Sequence, residues 1–393
     1  MKRRQPKKMI DESAIATNCD LTQIPPQDQN IDIFYNKIVG MLRSIQEKSL
    51  VPQPNHSQNR ISESTRQLLT LRRETSRSDP LFHTISELCR EELARDHQEF
   101  AKTRLVNAAM ARKKRLRRTE NPPPFLPSEI RAALRSFPNG KSAGEDKITA
   151  DFLKKCTDKI ILIITHCFNL MMEKEEIPKA WKTSKTILIF KKGDRENLEN
   201  YRPITILPVL YKLFTKCILQ RIRRPLEESQ PVEQAGFRRS FSTMDHISTI
   251  QRILEASREH QIPLVLIFVD YHKAFDSVEP AAVWNSLKDQ GVDQHYIKIL
   301  QKCYEECSTN ITPFFKKVEI PISKGVRQGD PISPNLFSAS IEGVFRSTNW
   351  SDCGISIDGR KLNHLRFADD VVLISHTPHQ ASRMLKELVQ ESA

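Results

Sequence analysis

Two adjacent carboxylates, Asp369 and Asp370, stand in a stretch whose neighbours Leu365, Phe367, Val371, Val372, Leu373 and Ile374 are apolar. Burying such a pair is unfavourable unless a divalent cation neutralises it. The flanking residues predict two short strands meeting at a tight turn, where Asp is well tolerated. Far upstream, residues 264–269 (LVLIFV) form a continuous apolar run of the kind found in a strand buried on both faces, and Asp270 stands at its C-terminal end. Three aspartates converging across neighbouring strands suit phosphoryl transfer to a nucleotide. In that chemistry two Mg²⁺ ions about 3.5–4 Å apart activate the attacking hydroxyl and hold the leaving pyrophosphate. Mg²⁺ takes one or two protein carboxylates and completes its octahedron with phosphate oxygens and water, and Mn²⁺ can substitute. An acidic pair taken alone is as readily a solvated loop, so other segments must decide.

The elements that would carry these residues fall into three parts. Residues 1–120 are polar, with Leu81, Phe82, Ile85, Leu88, Cys89 and Leu93 at helical spacing. Asn121-Pro122-Pro123-Pro124 breaks any helix and marks a boundary. Residues 121–260 mix helices, as over 160–172, with strands, as over 186–190. Residues 261–393 hold the strand leading to Asp270 and a helix around 281–290. They continue with a turn at Asp330-Pro331 that opens an apolar helix through Leu336, Phe337 and Ile341, then the acidic hairpin, then a last helix with Met384, Leu385, Leu388 and Val389.

Three segments in this order, IFVDYHKAFDSV (267–278), GVRQGDPISPNLF (325–337) and FADDVVLIS (367–375), resemble the palm blocks of reverse transcriptases, specifically those of non-LTR, LINE-type retrotransposons of the RTE-like group. The likeness extends through ENYRPITILPVLYKLF (199–214) and QAGFRRSFSTMDHI (234–247) to KSAGEDKITADFLKK (141–155), covering about residues 127–393. It implies an α+β right-hand polymerase, with fingers over 121–260 and a palm of antiparallel sheet and packed helices over 261–393, preceded by a helical N-terminal segment. The implied activity is template-directed addition of deoxynucleotides to a primer 3′-hydroxyl. Its partners are an RNA template, a DNA primer and deoxynucleoside triphosphates, and its cofactor is a pair of Mg²⁺ ions.

Residue by residue, the resemblance makes Asp270 and Asp369 metal ligands with Asp370 assisting. It places Phe275 under the incoming sugar, where a bulky aromatic clashes with the ribose 2′-hydroxyl by which RNA is told from DNA. The bland reading of Phe275 is a core aromatic. Arg327, Gln328 and Gly329 fall where the family packs against the nascent base pair; Gly permits close approach and Gln both donates and accepts. On their own these residues read equally as a surface loop. Lys192, beside Lys191, and Arg202 match the segment that grips the triphosphate, and Arg238 and Arg239 fall where template or primer phosphates run. Two departures stand out. Relatives usually have Gly-Pro-Asp-Gly where this chain has Gly144-Glu145-Asp146-Lys147, which leaves that turn open. Residues 371–393 leave no room for a thumb, and nothing upstream has room for the endonuclease domain such elements carry. A nucleic-acid-binding remnant without activity, an RNA-copying RNA polymerase and the intron maturase-like branch are the alternatives.

Composition agrees with a polyanionic partner: 61 Lys and Arg face 48 Asp and Glu, for a formal charge of +13 and a pI near 9.3. Basic clusters lie at Lys2-Arg3-Arg4 with Lys7-Lys8 and at Arg112–Arg115 with Arg117-Arg118; each reads as a nuclear address, a phosphate-binding arm or a solvated tail. No apolar run approaches the length of a membrane span, and the basic start leads into Asp11 and Glu12 instead of a signal peptide. The expectation is a soluble, intracellular protein of cytoplasm or nucleus. The eight cysteines include no Cys-x-x-Cys pair and are expected to be reduced structural thiols, with His376 and His379 as bystanders.

Overall fold

The computed structural model of the chain describes residues 8–21, 25, 30–52, 72, 122–197, 200–238, 241–312, 317–357 and 359–392. The helical pattern expected over 81–93, the basic residues at 2–7 and 112–118, Asn121 and Arg239 lie outside them. The chain divides into two units, Met1–Met9 with Val51–Pro122, and Ile10–Leu50 with Pro123–Ala393. Of the first, little is described beyond the ends of two short strands, β1 (Lys8–Ile10) and β2 (Leu50–Pro52).

Residues 10–50 depart from the expected separate segment over 1–120, because they belong to the second unit. There α1 (Glu12–Leu21) and α2 (Ile31–Lys48) turn apolar faces inward. In α2, Phe34, Tyr35, Ile38, Leu42 and Ile45 recur at helical spacing and are all buried. Asn30 starts the helix by accepting a hydrogen bond from Ile33 N at 3.2 Å.

Helices α3 (Pro127–Arg135), α4 (Ala150–Lys155) and α5 (Asp158–Lys174) follow, then strands β3 (Thr183–Phe190) and β4 (Tyr201–Ile206) and the long α6 (Val209–Ser229). After α7 (Thr243–Glu259) come β5 (Val265–Asp270), α8 (Ala274–Ser277), α9 (Pro280–Asp289), α10 (Gln294–Tyr304), β6 (Cys307–Ile311) and β7 (Val318–Ile322). The chain continues through α11 (Ser333–Ser347), the hairpin β8 (Ile355–Ile357) and β9 (Arg360–Leu362), β10 (His364–Phe367), β11 (Asp370–Ser375) and α12 (Pro378–Glu391).

One sheet has the antiparallel order β10-β11-β5; a second has the order β4-β3-β6-β7, antiparallel except for its β3–β6 pair. The second sheet draws strands from both sides of residue 260, so the expected boundary there does not separate two sheets. Phe168 and Phe214 meet at 5.1 Å, Trp181 lies 5.4 Å from Phe214 and 5.6 Å from Tyr211, and this edge-to-face cluster knits α5 to α6. The described cysteines are all buried, and among the described residues none is in a disulfide. Among the described residues no helix is long and apolar enough to cross a membrane.

The run at 264–269 is not buried on both faces. Among the described residues β5 has a strand neighbour on one side only, and Phe268 is 72% exposed. Its outward face is covered only near its start, where Ile250 and Ile253 of α7 pack with Leu266, Leu365 and Ile374. The unbroken apolar run therefore reflects one face against the core and one face half covered by a helix.

The turn at 144–147 does form. Lys147 N donates to Gly144 O at 3.0 Å, and Arg43 and Gln46 of α2 donate to the carbonyls of Glu145, Asp146 and Lys147 at 2.6–2.9 Å. A Cβ on Gly144 would stand 2.7 Å from Leu207 O, so that position admits only glycine without movement. Lys147 takes φ +55, the left-handed region in which an L side chain is strained and glycine is favoured. Pro208, before α6, supplies no side-chain cap. The Asp146 carboxylate, 6% exposed, accepts from Ile148 N at 3.3 Å, and its other oxygen is buried without a hydrogen-bond partner among the described residues.

Replacing Lys147 by Gly removes the left-handed strain and should raise stability by up to about 1 kcal/mol in a denaturant melt; a loss would show that Lys147 contributes more than its backbone costs. Burial pushes the Asp146 carboxyl up to about 6, against the bond from Ile148 N and the charge of Arg43. The folded value exceeds the ordinary one of about 3.9, so the stability it contributes is complete below about pH 4 and is lost as pH rises through about 6. Asp146→Asn should match the parent near pH 4 and exceed it at pH 7.5 by roughly 2 kcal/mol. A variant less stable than the parent at pH 7.5 would mean that the charged carboxylate's hold on the 146–148 backbone outweighs its desolvation.

Candidate functional site

Across the β5–β11 pair, Asp270 is the register partner of Asp370, and in the β10–β11 hairpin Phe367 pairs with Asp370. The hairpin therefore turns on two residues, Ala368 and Asp369, and three carboxylates gather at one end of the sheet. Asp270 and Asp370 are exposed, and Asp369 is half-buried. Strand alternation sends Val371 and Leu373, 1% and 0% exposed, to the core. The opposite face opens on a cavity of about 360 Å³ between α7 and the sheet, lined by His246, Ile247, Ile250, Phe268 and Val372, with Asp270 and Asp370 in its wall. Partial desolvation, then the charges of Asp369 and Asp270, hold the Asp370 carboxyl above the ordinary carboxylate range.

Among the described residues no three His, Cys, Asp or Glu side chains form a set that could hold a metal by themselves. The donors at the sheet end are nonetheless all hard oxygens in a mutually repelling group. Such a set fits a divalent cation that keeps water and phosphate among its ligands, and does not fit a closed protein cage.

Phe275, on α8, is half-buried; its ring stacks on Phe337 at 4.4 Å and meets the edge of Phe237 at 5.8 Å. Backbone bonding of Val326 N to Phe275 O at 2.8 Å brings the 325–330 segment alongside. Gln328 Nε2 donates to Asp276 Oδ1 at 3.3 Å. Gly329 has φ +89, and a Cβ there would lie 3.1 Å from Thr205 O of β4, so the segment also leans on the other sheet.

Arg327 departs from the expected nucleotide contact. It is 5% exposed, its guanidinium donates to Trp181 O at 2.9 Å and to Cys307 Sγ at 2.5 Å, and it lies over the Tyr211 and Tyr304 rings. These contacts make it a pin between the 325–330 turn, β6 and α6. Asp330 is buried with it, accepting from Tyr211 Oη and Thr215 Oγ1 at 2.7 Å each. Desolvation holds its carboxyl above the ordinary range despite those bonds.

Lys191 and Lys192 are exposed in the turn after β3. Arg202 sits in β4 opposite Ile189, and its side chain lies outside what is described. Arg238 spends Nη1 on the carbonyls of Pro231 and Gln234 and stacks over Phe241 at 4.4 Å, so it is partly committed to the protein.

Sequence reasoning passed over the support behind the hairpin. Arg366, 1% exposed, donates through Nη2 to Glu342 Oε2 of α11 at 2.6 Å and lies 4.1 Å from the Phe345 ring centroid. A charged residue between Leu365 and Phe367 was the visible signal, since a buried guanidinium requires a carboxylate elsewhere. Residues 233–236 run beside β10, with Arg366 N bonded to Glu233 O at 2.8 Å and Ala235 N to Arg366 O at 3.0 Å.

Residues 189–393 match the family described as Reverse transcriptase (RNA-dependent DNA polymerase). The chain is 28% identical over 254 residues to the Retrovirus-related Pol polyprotein from type-1 retrotransposable element R2 of Popillia japonica, covering 64% of this chain and 35% of that protein. It is 30% identical over 269 residues to the Probable RNA-directed DNA polymerase from transposon X-element of Drosophila melanogaster, covering 66% and 28%. The RNA-directed DNA polymerase from mobile element jockey of the same fly is 25% identical over 251 residues, covering 63% and 27%. The chain thus spans about a third or less of the length of these relatives. With the family match running over more than half of its residues, and the acidic sheet end inside that span, this chain belongs to the reverse transcriptase (RNA-dependent DNA polymerase) family.

Proposed function

We propose that the chain carries the nucleotidyl-transfer site of a non-LTR retrotransposon reverse transcriptase, of the RTE-like group by its sequence blocks, adding deoxynucleotides to a primer 3′-hydroxyl on an RNA template. The observation that carries the reading is the pairing of Asp270 with Asp370 across β5 and β11, with Asp369 in the adjoining turn. In this reading the β10-β11-β5 sheet is the palm and the β4-β3-β6-β7 sheet belongs to the fingers.

Asp270 and Asp369 would hold two Mg²⁺ ions, with Asp370 beside them; when bound, the ions supply charge for the attacking hydroxyl and the leaving pyrophosphate. The chain's own residues do the rest. Phe275, fixed flat on Phe337 and edge-on to Phe237, offers an aromatic wall that a ribose 2′-hydroxyl would strike. Gln328 and Gly329, placed by the buried Arg327 and Asp330, border that space. Lys192 and Arg202, from the β3–β4 hairpin, neutralise the triphosphate charge left over by the ions. The net positive charge of the chain favours retention of template and primer.

Asp369→Asn and Asp270→Asn should each lower primer extension on an RNA template by about three orders of magnitude while leaving template–primer affinity within a few-fold. Extension by Asp369→Asn at a tenth of the parent rate would sink the assignment. Phe275→Val should lower the preference for deoxynucleotides over ribonucleotides, read as the ratio of kcat/KM values, by roughly 10- to 100-fold. An unchanged ratio would return Phe275 to the role of a packing residue.

A further inference from the structure

We propose that Gln234 is a positioning residue for the acidic turn, fixing Ala368 and through it Asp369 in the arrangement that presents the carboxylates to a divalent cation; the inference rests on the two-metal reading above. Ala368 is the first residue of a two-residue hairpin turn and has φ +60. That position normally takes glycine, because an L side chain is strained there. An alanine turn of this kind needs an external hold, and the structure supplies one.

Gln234 is 0% exposed, and its Oε1 accepts from Ala368 N at 3.1 Å and from Gly236 N at 2.8 Å. Two N–H groups aimed at one atom leave no choice of amide orientation, since turning the carboxamide over would face donor to donor. The approach is close: a Cβ on Gly236 would stand 2.2 Å from Ala368 N, so only glycine lets the 234–236 backbone reach the turn. Backbone bonds of Glu233 and Ala235 to Arg366 lock the segment in register just before the hairpin bends. One side-chain oxygen thus ties the turn to a strand-like segment anchored on β10. Asp369 comes directly after Ala368, so its direction follows from the peptide that precedes it.

The test uses the full chain and two readouts that do not require polymerase activity: amide hydrogen exchange at Ala368, and affinity for Mn²⁺ alone, followed by its electron paramagnetic resonance signal. Gln234→Met keeps the volume and removes the acceptor. It should speed Ala368 exchange at least tenfold and weaken Mn²⁺ binding about five- to tenfold, with exchange at Val269 and Leu373 unchanged. Adding Ala368→Gly, which accepts a positive φ without support, should bring Mn²⁺ affinity back to within about twofold of the parent. A general loss of stability would move the Val269 and Leu373 amides too and would not be rescued by a glycine in the turn. Unchanged Ala368 exchange or unchanged Mn²⁺ affinity in Gln234→Met overturns the proposal. So does rapid, unprotected exchange of Ala368 in the parent protein, which decides the matter even where Gln234→Met fails to fold. A parent chain that binds Mn²⁺, behaves as expected in these variants and extends no primer would refute the polymerase reading while supporting the role of Gln234.

Discussion

Three carboxylates at one end of a small sheet repel one another, and the interaction that holds them there is the burial of apolar side chains on the sheet's other face. Val371 and Leu373 are sealed against the core, each gaining about 1.5–3 kcal/mol relative to exposure. Because side chains alternate along a strand, a slip of one residue between β5 and β11 would drive Val371 and Leu373 into solvent and Asp370 inward. Hydrophobic burial therefore sets the register, and the register sets the charges side by side. Partial desolvation first, and then the charges of Asp369 and Asp270, hold the Asp370 carboxyl above the ordinary range.

A second constraint reinforces the first from behind. Arg366 occupies the inward face of β10 and pairs with Glu342 on α11, which also accepts from Arg346 at 3.0 Å. Such a buried pair gains little net stability, because desolvation offsets most of its attraction. It does discriminate between registers, since misplacing either partner leaves an unpaired charge in the core. Arg327 and Asp330 are each held separately, Arg327 by Trp181 O and Cys307 Sγ and Asp330 by the Tyr211 and Thr215 hydroxyls, and together they fix the 325–330 turn between α6, β6 and the Phe275 segment.

Much of this was legible in the sequence, and the misses share a cause. The acidic hairpin, the strand to Asp270, the helix after Asp330-Pro331 and the helix expected over 160–172 follow from local pattern, and the structure has all of them, the last extended to Asp158–Lys174. The exposed outer face of β5 was missed because an unbroken apolar run reports what a strand can bury, not which neighbours exist to bury it. The role of Arg327 was missed because a basic residue in a motif and a basic residue in a core look identical until the carbonyl and aromatic rings around it are known. Lys147 shows the reverse case: sequence comparison raised a doubt about the turn, and the backbone resolves it by accepting a left-handed lysine held by α2. The packing of α2 itself was hidden by the polar stretch that follows it.

These observations change how the chain's basicity is to be read. Arg327 and Arg366 are buried, and Arg221 gives its guanidinium to Glu129 and to the carbonyl of Pro124 while lying over Phe125. Arg238 is partly spent on carbonyls. A formal charge of +13 counts these groups alongside exposed Lys191 and Lys192, yet a guanidinium buried in the core is out of reach of a phosphate. Counterion release scales with the phosphates actually neutralised. The arginines of the core build the frame on which the acids stand, and attraction for a polyanion falls to the exposed lysines and to basic residues on strand and loop surfaces. Division of labour among like residues, not their total, is what lets one basic chain keep a cluster of carboxylates open at one end of the β10-β11-β5 sheet.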